Sequence, residues 1–113
     1  MADDCIFCRI VRREIPAAII HEDDQCVAFR DINPQAPVHV VIVTREHVAS
    51  LDGATSAAQL GALSMAARDI ARNEKIAKPG YRTVVNTNAD GGQTVFHLHM
   101  HLLGGRHMTW PPG

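Results

Sequence analysis

Aromatic residues are scarce, at 4% of 113 residues, and so is any excess of charge: 11 Lys and Arg against 12 Asp and Glu leave a formal net charge of −1. With the basic residues scattered, so even a balance argues against a nucleic-acid partner, while leaving room for small anionic ligands. No apolar run approaches the roughly 18 residues that cross a bilayer, so no membrane partner is expected. The opening Met1-Ala2-Asp3-Asp4-Cys5 has neither the basic nor the apolar part of a secretory leader, which points to the cytoplasm. Three cysteines, an odd count, do not suggest a disulfide framework. Repeats and low-complexity tracts are absent. What is present is 46% hydrophobic residues, enough for one core, and residues 1–113 read as a single domain. The residue in unusual supply is histidine, at seven.

The spacing of apolar residues and breakers predicts an α+β fold. Residues 5–15 have helical spacing and stop before Pro16, giving one to two turns of helix. Residues 18–21 and 25–30 flank Asp23-Asp24 and read as a hairpin. Residues 31–37 hold two prolines and read as a loop. Residues 38–43, β-branched almost throughout, read as a buried central strand. Ser56, with Gln59 three residues later, opens a long helix from about 56 to 75 whose stripe is Leu60, Leu63, Ala67, Ile70 and Ala71. Residues 81–86 and 95–103 read as strands, separated by a polar loop that contains Gly91-Gly92. About five antiparallel strands with the long helix on one face follow, beside a short N-terminal helix.

The chemistry concentrates in His97-Leu98-His99-Met100-His101-Leu102-Leu103. On a strand, alternate side chains share a face, so three imidazoles face one way and Leu98, Met100 and Leu102 the other. Surface histidines, a metal site and a nucleophile cluster all fit that pattern. Imidazole suits attack on phosphorus, because it is largely neutral at pH 7 and its phosphorylated form is readily displaced by water. Neighbouring imidazoles disfavour one another's protonation, and one can donate to a developing oxyanion. A metal-dependent hydrolase centred on this segment is disfavoured by the lack of a carboxylate within it. Cys5-Ile6-Phe7-Cys8 is a C-x₂-C pair. It opens the chain rather than following a strand, which favours zinc or free thiols over redox chemistry. Cys26, alone on its strand, reads as a small core residue.

His97-x-His99-x-His101-Leu102-Leu103 resembles the signature of the histidine triad (HIT) family. Asp31-Ile32-Asn33-Pro34-Gln35-Ala36-Pro37-Val38-His39, Tyr81-Arg82-x-Val84-Val85-Asn86, Asp90-Gly91-Gly92-Gln93-Thr94 and Trp110-Pro111-Pro112-Gly113 resemble, in the same order, its purine nucleoside phosphoramidase branch. The resemblance implies a HIT-like fold and a nucleotidyl hydrolase. Its substrates would be purine nucleoside 5′-phosphoramidates, cleaved to a nucleoside monophosphate (AMP) and an amine. It makes His99 the nucleophile. His101, Asn86 and Thr94 become contacts of the α-phosphate, with Gly92 and Gln93 in the loop above it. Asp31 would accept from the ribose hydroxyls, Ile32 would line the base pocket, and His39 would support the site. Thr94 stands where many relatives carry serine. Without the resemblance, Asp31 reads first as a turn residue, and Asn86 as readily as a structural strand end. The resemblance further implies a structural zinc on Cys5, Cys8, His47 and His97, no catalytic metal or organic cofactor, and a homodimer whose Trp110 tail reaches the neighbouring site. Two rivals remain: a nucleotide-binding regulatory or scaffold protein with incidental hydrolysis, and a dinucleoside polyphosphate hydrolase.

Overall fold

The computed structural model describes residues 4–113; Met1–Asp3, which open the stretch read above as free of a leader, lie outside the described residues. Helix α1 (Ile6–Val11) is followed by strands β1 (Ile19–Glu22), β2 (Cys26–Arg30) and β3 (Val38–Thr44). Helix α2 (Ala57–Asn73), β4 (Tyr81–Val84) and β5 (His99–Gly104) complete the order. The five strands form one antiparallel sheet in the order β1-β2-β3-β5-β4. The α+β architecture follows the expectation from the sequence.

Local chemistry explains each boundary. The Asp23 Oδ1 accepts the N–H groups of Gln25 and Cys26, both at 2.8 Å, closing the β1–β2 hairpin with an Asx turn. Ser56 Oγ accepts the Gln59 N–H at 3.1 Å and caps α2. Gly105, at φ 90°, turns the chain out of β5 in the left-handed region.

The sheet is covered on both faces. On one, Leu63, Ala66, Ala67, Ile70 and Ala71 of α2 pack onto Ala28, Val40, Ile42, Leu98, Met100 and Leu102. On the other, Val27, Phe29, Val41 and Val43 meet Ile10 and Phe7 of α1. Strand pleat decides the division, since even and odd positions of β3 and β5 point to opposite faces. Covering both faces explains why β2 and β3 read as continuous apolar runs.

Two strands are shorter than the sequence suggests. β4 ends at Val84, so Val85 and Asn86 lie beyond it, and β5 begins at His99 rather than at residue 95. The start of β5 is delayed because Leu98 donates its N–H to Val48 O at 2.6 Å, outside the ladder, and His97 is drawn toward the N-terminal cysteines. At the other end β5 extends through Gly104, which pairs with both Val38 and Tyr81.

Candidate functional site

The α1 face of the sheet carries the histidines. β5 places His99 and His101 beside each other, with ring centroids 5.1 Å apart, and β3 brings His39 to within 5.1 Å of His101. Pairing of β3 with β5 sets Val41 opposite His101 and Val43 opposite His99, so the imidazoles rise from an apolar floor. Leu98, Met100 and Leu102 enter the opposite core, as the alternation requires.

Hydrogen bonds fix the tautomers of these rings. His99 Nδ1–H donates to the carbonyl of His97 at 2.6 Å, which leaves Nε2 as the ring's lone-pair nitrogen. His39 Nδ1 accepts the Gln35 N–H at 3.0 Å, so its Nε2 carries the proton and donates to His101 Nδ1 at 2.9 Å. His101 therefore presents an Nε2–H donor next to the free lone pair of His99. Asp31 enters from the loop after β2: its Oδ1 accepts the Asn33 N–H at 2.8 Å in an Asx turn, and Oδ2 lies 3.4 Å from His39 Nε2. The turn reading of Asp31 is thus met by Oδ1, while Oδ2 lies beside the histidine cluster. A carboxylate absent from the histidine segment itself reaches the cluster through the fold, and Asp31, His39 and His101 lie close enough to group around a cation. His39 and His101 already share a hydrogen bond, and the Asp31 carboxylate lies against its donor nitrogen.

Burial keeps these rings neutral. It lowers His101 to about 4, helped by repulsion from His99 and His39. Burial also lowers His39 and His99, opposed in both by the negative Asp31. At neutral pH the cluster offers one uncharged lone pair and one uncharged donor side by side, the arrangement a nucleophilic attack and oxyanion contact require.

A cleft of about 270 Å³ opens over the pair. It brings together Asp31, Ile32, Thr94, His99 and His101 of the residues singled out from sequence, and Ile32 is fully exposed at its rim. Asn86, Gly92 and Gln93 stand outside its lining. The N–H groups of Gly92 and Gln93 bond to Ala89 O and Asn88 O within their own loop. The buried Gln93 side chain accepts from the Asn88 N–H and donates to Ala49 O and Val95 O, fastening the loop to the segment after β3. Gly91 is required there, because a Cβ would sit 2.3 Å from Thr87 O. Phe7, Ile10, Ile15 and Phe29 also wall the cleft, and sequence reasoning did not single them out. The apolar face of the residue 5–15 helix was the available signal, but not what it would cover.

A second cluster lies at the start of the triad. Donor atoms of Cys5, Cys8, His47 and His97 all lie within 4.8 Å of one another. His97 Nδ1 is 3.2 Å from Cys5 Sγ, 3.4 Å from Cys8 Sγ and 3.2 Å from His47 Nδ1, and Cys8 Sγ is 3.2 Å from His47 Nδ1. Tetrahedral zinc with bonds of about 2.0–2.3 Å sets its ligand atoms about 3.3–3.8 Å apart, so the set fits with small adjustments. His97 Nε2–H donates to Thr44 O at 2.7 Å, leaving the Nδ1 lone pair facing the thiols, as a ligating histidine needs. Burial, again the main cause, lowers His97 to about 4.

The HIT domain signature matches residues 12–108. The chain belongs to the histidine triad family. It is 47% identical over 108 residues to the purine nucleoside phosphoramidase of Escherichia coli K12, covering 94% of this chain and 91% of that protein. A crystal structure of a HIT family hydrolase from Legionella pneumophila superposes with a TM-score of 0.94 at 46% identity, covering 96% of this chain and 99% of that one. A zinc-bound histidine triad family protein from Mycobacterium smegmatis superposes with a TM-score of 0.84 at 28% identity, covering 94% and 78% of the two chains. The family places the chain among hydrolases, and no helix of the described residues is long and apolar enough to cross a membrane.

Proposed function

We propose that this HIT hydrolase cleaves purine nucleoside 5′-phosphoramidates through a nucleotidyl-histidine on His99. The observation that carries the reading is the His99 Nδ1–H bond to the His97 carbonyl, which leaves a neutral Nε2 lone pair facing the cleft beside the His101 donor. Attack of Nε2 on phosphorus forms an N–P bond as the phosphoramidate P–N bond breaks, and the amine departs with a proton drawn from solvent, which the later attack of water returns. Water then displaces His99, giving the nucleoside monophosphate. His101 Nε2–H donates to the phosphoryl oxygen as charge builds. The Thr94 hydroxyl is a second contact, and Asn86, Gly92 and Gln93, outside the cleft lining, would complete the phosphate's contacts. The Asp31 carboxylate accepts from the ribose hydroxyls, while Ile32, Phe7 and Phe29 hold the base. The likeness to the E. coli phosphoramidase supports the substrate class.

The Cys5, Cys8, His47 and His97 quartet holds a structural zinc, which would supply a cross-link between the N-terminus and the sheet. Residues 1–113 act as a single domain, and three cysteines without a disulfide suit a reducing, cytoplasmic setting. Two copies pair through α2 and the edge strand β4, where Met65 and Tyr81 are exposed. Arg82 Nη2 donates to Thr109 O at 2.9 Å and steadies the tail, whose Trp110 is 81% exposed and available to the neighbouring subunit's cleft.

Rapid quenching of the protein with a radiolabelled adenosine 5′-phosphoramidate should trap label on His99, with AMP and free amine as products. No turnover of the phosphoramidate, or label on another residue, overturns the reading. Tight AMP binding without turnover would instead favour a nucleotide-binding scaffold.

A further inference from the structure

Helix α1 is six residues long, too short to be stable by itself, so what fastens it decides where it lies. Its N-cap Cys5 and its own Cys8 turn one way, into the cluster with His47 and His97. Phe7, between them, turns the other way. Its ring lies edge-on to His99 at 5.0 Å, to His97 at 5.9 Å and to Phe29 at 5.5 Å, and with Ile6 and Ile10 it walls the cleft. A single turn of helix therefore presents ligands to one site and an apolar wall to the other.

His97 joins the same two places by a second route. Its Nδ1 faces the thiols, while its backbone carbonyl accepts the Nδ1–H of His99. A shift of His97 moves the group that orients the His99 ring.

We propose that metal occupancy of the cysteine–histidine quartet and nucleotide occupancy of the cleft are coupled through Phe7 and His97, each tightening the other. The inference rests on the reading of the cleft as a nucleotide site. With the quartet filled, α1 is held down and the wall of Ile6, Phe7 and Ile10 is in place before the nucleotide arrives. With it empty, part of the binding energy is spent ordering α1. Linkage requires the converse: a bound base that presses on Phe7 keeps Cys5 and Cys8 at the ligand positions, by the same factor.

The test measures both sides of that cycle, using zinc chloride and AMP. AMP affinity is measured by calorimetry on zinc-loaded and on chelator-stripped protein, with circular dichroism confirming that the stripped protein is folded. Zinc affinity is measured by competition with a chromophoric chelator, with and without saturating AMP. Zinc should tighten AMP at least fivefold, and AMP should tighten zinc by an equal factor. Phe7→Ala, which removes no ligand, should still bind zinc but bring the factor close to one.

Should the stripped protein unfold, the rate of zinc loss to the chelator replaces the first arm. AMP should slow that loss in the wild type and much less in Phe7→Ala. Equal slowing in both would mean that AMP acts through global stability, and would overturn the proposal. Equal AMP affinity with and without zinc, or failure to bind zinc at all, also overturns it while leaving the nucleotide reading standing. Absence of AMP binding in either form sinks the nucleotide reading, and the coupling with it.

Discussion

The first two histidines of the triad hold the same side chain under similar burial, yet they are prepared for different chemistry. At the N-terminal end His97 spends its Nε2–H on Thr44 O and turns an Nδ1 lone pair toward two thiols and a second imidazole. Two residues on, His99 spends its Nδ1–H on the His97 carbonyl and turns its Nε2 lone pair toward an apolar-walled cleft. The acceptor carbonyl chooses the nitrogen, and the surroundings choose the partner: thiols make one lone pair a metal ligand, while an open cleft and a neighbouring donor make the other a nucleophile.

Removing each lone pair is the sharpest way to break this comparison. His99→Ala should lower kcat by at least about a thousandfold while AMP affinity stays within about tenfold, or 1.4 kcal/mol. His47→Ala, in the quartet around His97, should reverse the pattern: loss of bound zinc by elemental analysis and a lower melting temperature, with a far smaller effect on kcat than His99→Ala. Retention of a tenth of wild-type kcat in His99→Ala would remove that ring from the chemistry. His101→Ala comes next, with a loss of about 10² to 10³ in kcat, the usual effect of deleting one oxyanion donor.

Much of this division was legible before the fold was known, and the reason is local. Period-two spacing puts His99 and His101 on one face whatever the rest of the chain does. The Asx turn at Asp23 and the Ser56 cap are likewise matters of a few adjacent residues. The start of β5 was misplaced, because His97 is pulled toward cysteines 89 and 92 positions away, contacts that no window of sequence contains. For the same reason Phe7 and Ile10 read only as an apolar helix face: their value as cleft walls exists only once α1 docks. Gln93 belongs to a third case. Its motif matched the family, but a side chain that bonds three backbone groups of its own and a neighbouring segment is visible only in three dimensions.

Titration sharpens the comparison from the other side. Burial holds His101 at about 4 and lowers His39, while an unfolded histidine titrates at about 6.5. Their neutral forms therefore contribute stability in full above about pH 6.5, and that contribution is lost as pH falls toward 4, because the unfolded chain takes up protons first. The melting temperature should fall across that window, and His101→Gln should flatten part of the slope. The acid limb of kcat/KM should lie below pH 6.5, since the neutral cluster persists where ordinary histidines are already charged. An acid limb at or above 6.5, or an unaltered slope in His101→Gln, would show that these rings do not titrate as the fold dictates.

The smallest expected effect lies one step back from the cleft, at His39. This ring receives the Gln35 N–H at Nδ1 and passes its own Nε2–H to His101 Nδ1, so it sets which His101 nitrogen carries a proton toward the cleft. It is a positioning residue, and a side chain that donates from a similar place should replace it. Gln at this position can donate its amide N–H to His101 while its carbonyl oxygen accepts from Gln35. Leu fills comparable space but offers neither, leaving His101 free to adopt the wrong tautomer. His39→Leu should lower kcat by about tenfold, well short of the loss expected from deleting an oxyanion donor outright. His39→Gln should recover most of that loss, with KM changing little in either variant. Equal kcat in the two variants would mean that His39 acts by filling space, and the tautomer of His101 would then need another cause.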